Sequence, residues 1–146
     1  MSGRSRYAAR IVDTSALLAY FNAAEPRHVD VRAAIESSEA GGELVVSPYV
    51  IAELDYLVAT RVGVQAETAV LRELAGGAWE CPAVSASDLA VIASVVERYS
   101  DQEIGVTDAS LVLLAQRYET RNVVTLDRRH FDVVRPLPGG KFRVLP

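Results

Sequence analysis

Four acids in this 146-residue chain fall at positions where a carboxylate can take part in chemistry: Asp13, Glu53, Asp108 and Asp127. Asp13 closes the apolar run Ile11-Val12, and Asp127 closes the stretch from Asn122 to Leu126, so both stand at the carboxyl end of a predicted strand. Asp108 opens a predicted helix. Glu53 lies three residues after Val50 and four before Leu57, a spacing that turns it toward the buried side of another helix. In an open α/β sheet, ligands bind in the crevice outside the carboxyl ends of the strands. Each acid alone has a plain structural use: a helix cap for Asp13 and Asp108, a flank position for Glu53, a turn for Asp127. Together, four carboxylates at one crevice would repel strongly in a low dielectric. Their natural neutraliser is a hard divalent cation with oxygen ligands, Mg²⁺ or Mn²⁺. Such an ion suits phosphodiester hydrolysis, because it can bridge a phosphate, acidify an attacking water and stabilise the leaving oxygen.

Other chemistries fit poorly. His28 and His130 are the only histidines and lie far apart, without the spacing of a zinc pair. His28 reads as a surface helix residue. His130, close to Asp127, reads as a loop residue within reach of a substrate. The chain has no Gly-x-Gly-x-x-Gly turn, phosphate-binding loop or Gly-x-Ser-x-Gly elbow. Asp13-Thr14-Ser15 also lacks the second aspartate of an aspartyl-phosphate phosphatase.

The elements that must carry these acids alternate. A strand from Tyr7 to Val12 precedes a helix from Thr14 to Asn22, and Pro26 opens a helix through about Glu39 that Gly41-Gly42 ends. Leu44 to Val46 is a short strand, and Ser47-Pro48 caps a helix reaching about Arg61. Gln65 to Leu74 is amphipathic. Trp79 to Val84 is an edge strand interrupted by Pro82. Ser87-Asp88 caps a helix to about Tyr99, and a helix through roughly Tyr118 carries the stripe Leu111, Val112 and Ala115. Asn122 to Leu126 and Phe142 to Leu145 complete the strands. Strands alternating with helices predict a mostly parallel sheet with helices on both faces, in a single domain spanning 1–146.

Half the residues are apolar, enough for a substantial core, and the single cysteine, Cys81, excludes an internal disulfide framework and fits a reducing cytoplasm. Neither a signal peptide nor a membrane helix is expected. The net charge of -4 argues against a nucleic-acid partner until its distribution is read. From Arg117 to Pro146, seven basic residues face three acids, a local +4, while the remainder sums to -8. A basic edge beside an acidic pocket suits a polyanion held next to a cation site.

At these residues the chain resembles a PIN-domain ribonuclease, and more closely a VapC-type toxin of a bacterial type II toxin-antitoxin system. Asp13-Thr14-Ser15-Ala16-Leu17 resembles the opening motif and Ala52-Glu53-Leu54 the second. Gly105-Val106-Thr107-Asp108-Ala109 resembles the third, and Thr125-Leu126-Asp127-Arg128-Arg129-His130-Phe131 the fourth. Order and spacing match over nearly the whole chain. Many relatives carry Asn where Asp127 stands and Asp where His130 stands.

The resemblance implies an α/β PIN-like three-layer fold with a five-stranded sheet flanked by helices. It implies a Mg²⁺- or Mn²⁺-dependent endoribonuclease cutting structured RNA, such as a tRNA or an rRNA loop, a homodimer, and a VapB-type antitoxin whose tail blocks the acidic groove. By position, Asp13, Glu53, Asp108 and Asp127 would form the catalytic and metal-holding quartet, with Ser15 and Thr125 as supporting polar residues and Asp101 in a structural role. Arg128 and Arg129, following Asp127, would make RNA phosphate contacts. Tyr49, Tyr56, Leu57 and Val58 give one helix more large apolar surface than a core stripe needs, which suits an antitoxin helix. The alternatives are a PIN-fold module that binds RNA or protein without cutting, and a DNA nuclease.

Overall fold

The computed structural model describes residues 8–37 and 42–146. Its described residues form four parallel strands, β1 (Arg10–Val12), β2 (Leu44–Val45), β3 (Asn122–Val124) and β4 (Arg143–Leu145), in the order β2-β1-β3-β4. Ile11 pairs with Val45 on one side and Val123 on the other, and all three are fully buried. From β1 the chain passes to β2 on one flank, and later returns to β3 on the other. A crevice therefore opens between the carboxyl ends of β1 and β3, where neighbouring connections leave in opposite directions.

The fifth strand reduces to a single bridge. Glu80 pairs with Val45, with Glu80 N–H donating to the Leu44 carbonyl at 2.7 Å and Val46 N–H to the Glu80 carbonyl at 2.8 Å. Pro82, having no N–H, cannot extend the ladder. β3 likewise stops at Val124 instead of Leu126, because the N–H groups of Leu126 and Asp127 bond to the Ser15 and Thr125 hydroxyls, both at 3.0 Å. In the first strand, Tyr7 lies outside the described residues.

Among the described residues seven helices surround the sheet: α1 (Thr14–Phe21), α2 (His28–Glu36), α3 (Pro48–Arg61), α4 (Val64–Ala75), α5 (Ala86–Arg98), α6 (Val106–Arg117) and α7 (Arg128–Val133). α2 starts two residues after Pro26, and the expected end at Glu39 lies outside the described residues. Ser47 caps α3 by accepting from Tyr49 N–H at 3.1 Å, with Pro48 next, as its sequence predicts. α5 is capped by Ser85 instead of Ser87. Ser85 Oγ accepts from Asp88 N–H at 3.3 Å and Asp88 Oδ2 from Ser85 N–H at 2.8 Å, a reciprocal box that places Ser87 inside the first turn.

α6 departs most from its predicted stripe. Every residue from Ala109 to Ala115 is buried, so the helix has no solvent face through two turns. It packs on α5, α3 and β1. Its one buried hydroxyl, on Ser110, is satisfied by Ser47 at 2.7 Å and the Thr107 carbonyl at 2.6 Å, which ties the head of α6 to the head of α3.

The first residue of β1 is an unexpected core member. Arg10 is 4% exposed; its Nη1 donates to the Ala34 and Ile35 carbonyls at 2.9 and 2.8 Å, and its Nη2 to the Gly42 carbonyl at 2.9 Å. A cation there satisfies carbonyls at the end of α2 that have no partner within the helix, and opposes the negative end of the helix dipole.

Candidate active site

Asp13 follows the central strand directly and is 7% exposed. Its Oδ1 accepts from Thr14 N–H at 2.8 Å, which also caps α1, and its Oδ2 accepts from the Thr125 hydroxyl at 2.8 Å. The cap and the site residue are one carboxylate. Thr125 has spent its only proton on Asp13, so at the 3.2 Å contact between hydroxyls Ser15 is the donor. Thr125 also accepts from Asp127 N–H. Ser15 and Thr125 thus join β1 and β3 across the crevice and hold Asp13 in a fixed orientation.

The cleft above them, about 460 Å³, is lined by Asp13, Thr14, Ser15, Glu53, Asp108, Asp127 and His130, with Glu103 and Val106 at its rim. All four acids expected from sequence reach it. Glu53 does so differently than its spacing predicts. It is exposed, while Val50, Leu54 and Val58 take the buried face of α3, so Glu53 faces solvent and cleft, not core. A carboxylate gains nothing from the core side and keeps its hydration at the mouth. Asp108, on the first turn of α6, keeps 20% of its side chain exposed, and Asp127 39%.

Burial, partly offset by the Thr125 and Thr14 hydrogen bonds, raises the Asp13 pKa above the usual carboxylate range, and Glu53 and Asp127 raise it further. Asp108 is pushed up to about 6, first by burial and then by Asp13, with His130 pulling the other way. Two acids held above their ordinary range mark a site where charge is poorly compensated by the protein alone. The Thr14 hydroxyl in the same wall is 3% exposed and has no hydrogen-bond partner. Oxygen donors, unbalanced charge and an orphaned hydroxyl fit a hard divalent cation. Among the described residues, no group of three His, Cys, Asp or Glu side chains is drawn together tightly enough to hold an ion as it stands. The carboxylates would have to close inward on binding.

One residue at the cleft escaped the sequence reading. Glu103 lies at the rim on a backbone with φ of 56°, a left-handed conformation rare outside glycine, while Asp101, expected in support, is exposed and does not line the cleft. No periodicity marks such a loop position. His130 contributes its Nδ1, 2.9 Å from Asp127 Oδ2 and 3.4 Å from Asp108 Oδ2. His28 is half-buried, with its Nδ1 2.7 Å from the Ala19 carbonyl, and plays no part here. Arg128 and Arg129 are exposed and do not line the cleft; Arg128 donates to the Pro146 carbonyl at 2.7 Å. Arg117 and Arg121 also bond within the protein, to Asp88 and the Gly139 carbonyl. Much of the basic edge is therefore structural. A larger cavity of about 820 Å³, with Arg10, Asn122 and Arg143 at the amino ends of β1, β3 and β4, gathers no comparable set of acids.

A family model for the PIN domain matches residues 10–136. The chain belongs to the PIN domain family. Over 136 residues this PIN domain is 62% identical to Ribonuclease VapC26 of Mycobacterium tuberculosis, covering 93% of this chain and 99% of that protein. Its fold resembles that of M. tuberculosis VapC20, a sarcin-ricin loop cleaving toxin, with a TM-score of 0.77 and 21% identity over 94% of this chain and 99% of that one. VapBC2 from Rickettsia felis, bound to a DNA fragment from its promoter, matches with a TM-score of 0.69 and 15% identity over the same shares. Among the described residues, no helix is long and apolar enough to cross a membrane.

The hydroxyl bridge makes a direct prediction. Thr125→Val keeps the shape but removes the donor to Asp13 and the acceptor for Asp127 N–H, so it should lower stability by about 1–3 kcal/mol and slow the site's chemistry. Thr125→Ser should restore both. Cleavage by Thr125→Val at the parent rate would show that the bridge does not position Asp13.

Proposed function

We propose that this PIN domain is a metal-dependent endoribonuclease toxin that cuts structured RNA, a tRNA or an rRNA loop, and so inhibits translation in the cytoplasm. The observation that carries this is the convergence of Asp13, Glu53, Asp108 and Asp127 on one cleft at the switch point of the sheet. The 62% identity to a protein named as a ribonuclease supports it.

Asp13, Asp108, Asp127 and Glu53 would hold one or two Mg²⁺ or Mn²⁺ ions. Such an ion, when bound, supplies a Lewis acid for the phosphate and acidifies the attacking water. The protein does the rest. Ser15 and Thr125 fix Asp13 so that its carboxylate needs no reorientation as charge develops. Asp108 rides on a helix buried all round, which limits its drift. Glu53, at the open side, remains hydrated and would close inward toward the ion. Arg128 and Arg129, exposed at the start of α7, contact the RNA backbone without reading its sequence.

Purified protein incubated with total RNA, with Mn²⁺ or with EDTA, should give new 5′ ends at one or a few positions only when metal is present. RNA that is bound but left intact under both conditions would replace this reading with that of a binding module.

The partner is a VapB-type antitoxin held on a homodimer. An apolar groove of about 400 Å³ runs between α1, α3 and α4, with Leu18, Phe21, Leu57, Val58, Val62 and Val70 in its walls. Of the apolar residues singled out on α3, Leu57 and Val58 line it, whereas Tyr56, 67% exposed, and Tyr49 do not. The groove's breadth and apolar lining suit one face of an amphipathic helix. Arg61→Glu with Val62→Asp, both exposed positions in its wall, should weaken a co-purified antitoxin at least about tenfold without changing the far-ultraviolet spectrum. Unchanged affinity would place the interface elsewhere.

A further inference from the structure

We infer that the cavity at the amino ends of the strands is a second binding site, independent of the acidic cleft, for the terminal phosphate of a small phosphomonoester. Arg10, Asn122 and Arg143 are the first residues of β1, β3 and β4, and the register pairs Arg10 with Asn122 and Asn122 with Arg143. Residues paired across parallel strands share one face of the sheet. These three side chains therefore form a row, with Arg10 and Arg143 two strand spacings, or about 10 Å, apart. The opposite wall comes from the α2 region through Arg27, Asp30, Ala33 and Ala34, and the space between is about 820 Å³.

Charge decides the ligand. Three of the five N–H groups of buried Arg10 go to the Ala34, Ile35 and Gly42 carbonyls, and its Nε is buried with no partner. Carbonyl dipoles solvate a guanidinium but leave its unit charge in place, and burial holds the Arg10 pKa below its ordinary value with no carboxylate pulling it back. Across the row, Arg143 is exposed, and among the described residues its guanidinium has no partner. Arg27 pairs with Asp30 at 3.0 Å, so the one acid that lines the cavity among the described residues is already spent. Three guanidiniums against one carboxylate leave a net +2. That matches a phosphate monoester, about -1.5 to -2 at pH 7, better than a carboxylate or a phosphodiester carrying a single charge. Arginine meets such an oxyanion with two N–H groups at once. The volume exceeds that of a bare phosphate and lies within the range of small-ligand pockets, about 300–1,000 Å³, while Ala33, Ala34, Leu145 and Pro146 offer the rest of the molecule an apolar surface.

The test is nuclear magnetic resonance of the full chain in metal-free buffer, where the acidic cleft repels anions, with adenosine 5′-monophosphate, inorganic phosphate and adenosine as probes. The Arg10 Nε–H resonance should shift on adding the monophosphate, shift less with inorganic phosphate at the same concentration, and stay in place with adenosine. Arg143→Ala, an exposed change that spares the Arg10 hydrogen bonds, should weaken binding of the monophosphate about tenfold or more, the weight of one hydrogen bond between charged groups. Arg72→Ala, which removes an exposed arginine from α4, should leave that affinity unchanged. A short RNA that binds here more tightly with a 5′ phosphate than with a 5′ hydroxyl assigns the phosphate to an RNA end. Indifference to that group, with the monophosphate still bound, assigns it to a free small molecule. No shift at Arg10 with either phosphate, or an affinity that survives intact in Arg143→Ala, overturns the site. The nuclease reading would stand in either case, because no residue of the cleft takes part.

Discussion

At pH 7.5 in EDTA, Asp108→Asn is expected to melt several degrees above the parent protein while losing RNA cleavage by roughly a hundredfold or more. The carboxyl of Asp108 is pushed up to about 6 in the folded chain from an ordinary 3.8, chiefly by burial and by Asp13. A folded pKa above the unfolded one means that the native state binds the proton more tightly. The contribution of this group to stability is thus fully present below about pH 3.8, and is lost as pH rises through about 6. At neutral pH the ionised side chain costs on the order of 2–3 kcal/mol, which for a domain of this size corresponds to roughly 5–10 °C. Asn has nothing to ionise, so it escapes that cost and flattens the same stretch of the pH–stability curve. Metal should invert the order: Mn²⁺ at about a hundredfold excess over its dissociation constant stabilises the parent by about 2.7 kcal/mol and the variant far less. A variant that melts lower than the parent in EDTA across this pH range would show that Asp108 is structural. One that cuts RNA at the parent rate would remove it from the site.

Arg10→Ala should destabilise the fold by about 3–5 kcal/mol, the largest loss expected from any single side chain outside the core hydrophobics. The change removes three hydrogen bonds to backbone carbonyls, two of them buried, and enlarges the cavity that Arg10 already lines. Arg10→Lys should recover only part, because one ammonium cannot reproduce the spread of a guanidinium over carbonyls from two segments. Urea unfolding of the three proteins measures this. A loss below about 1 kcal/mol for Ala would mean that water replaces the guanidinium without penalty. Metal binding at the opposite end of β1 should remain intact in the folded fraction, which separates this role from the chemistry.

The two arginine and aspartate cases show which parts of the molecule could be read from sequence. Asp13, Asp108 and Asp127 were legible because each stands where an apolar run changes into a helix, and the parallel topology then brings strand ends together. Ser47-Pro48 was legible as a cap for the same local reason. Arg10 was not: its partners are carbonyls 24 to 32 residues away, and backbone acceptors carry no sequence signature. Glu53 was placed in the right cleft on a wrong premise, since helical spacing locates a side chain to within about one turn-face and cannot separate the edge of the buried stripe from its centre. The full burial of α6 was hidden because a helix wrapped by α5, α3 and the sheet has no polar face to set a period. Glu103 and the Nδ1 contacts of His130 depend on loop conformation and ring orientation, which residue types alone do not encode.

Ser15 borders both the acidic cleft and the apolar groove, and Leu126, whose N–H it accepts, lines the groove as well. The two cavities share Ser15 in their walls, and Ser15 is joined to Thr125 by the hydroxyl bridge. An occupant that displaced Ser15 would disturb the residues that orient Asp13, and groove and cleft would then be linked thermodynamically. Linkage is reciprocal: whatever factor a groove occupant imposes on cation affinity, the cation imposes on the occupant. Cation supply would then tune how tightly the groove holds its occupant, whose affinity would carry a dependence on an ion it never touches.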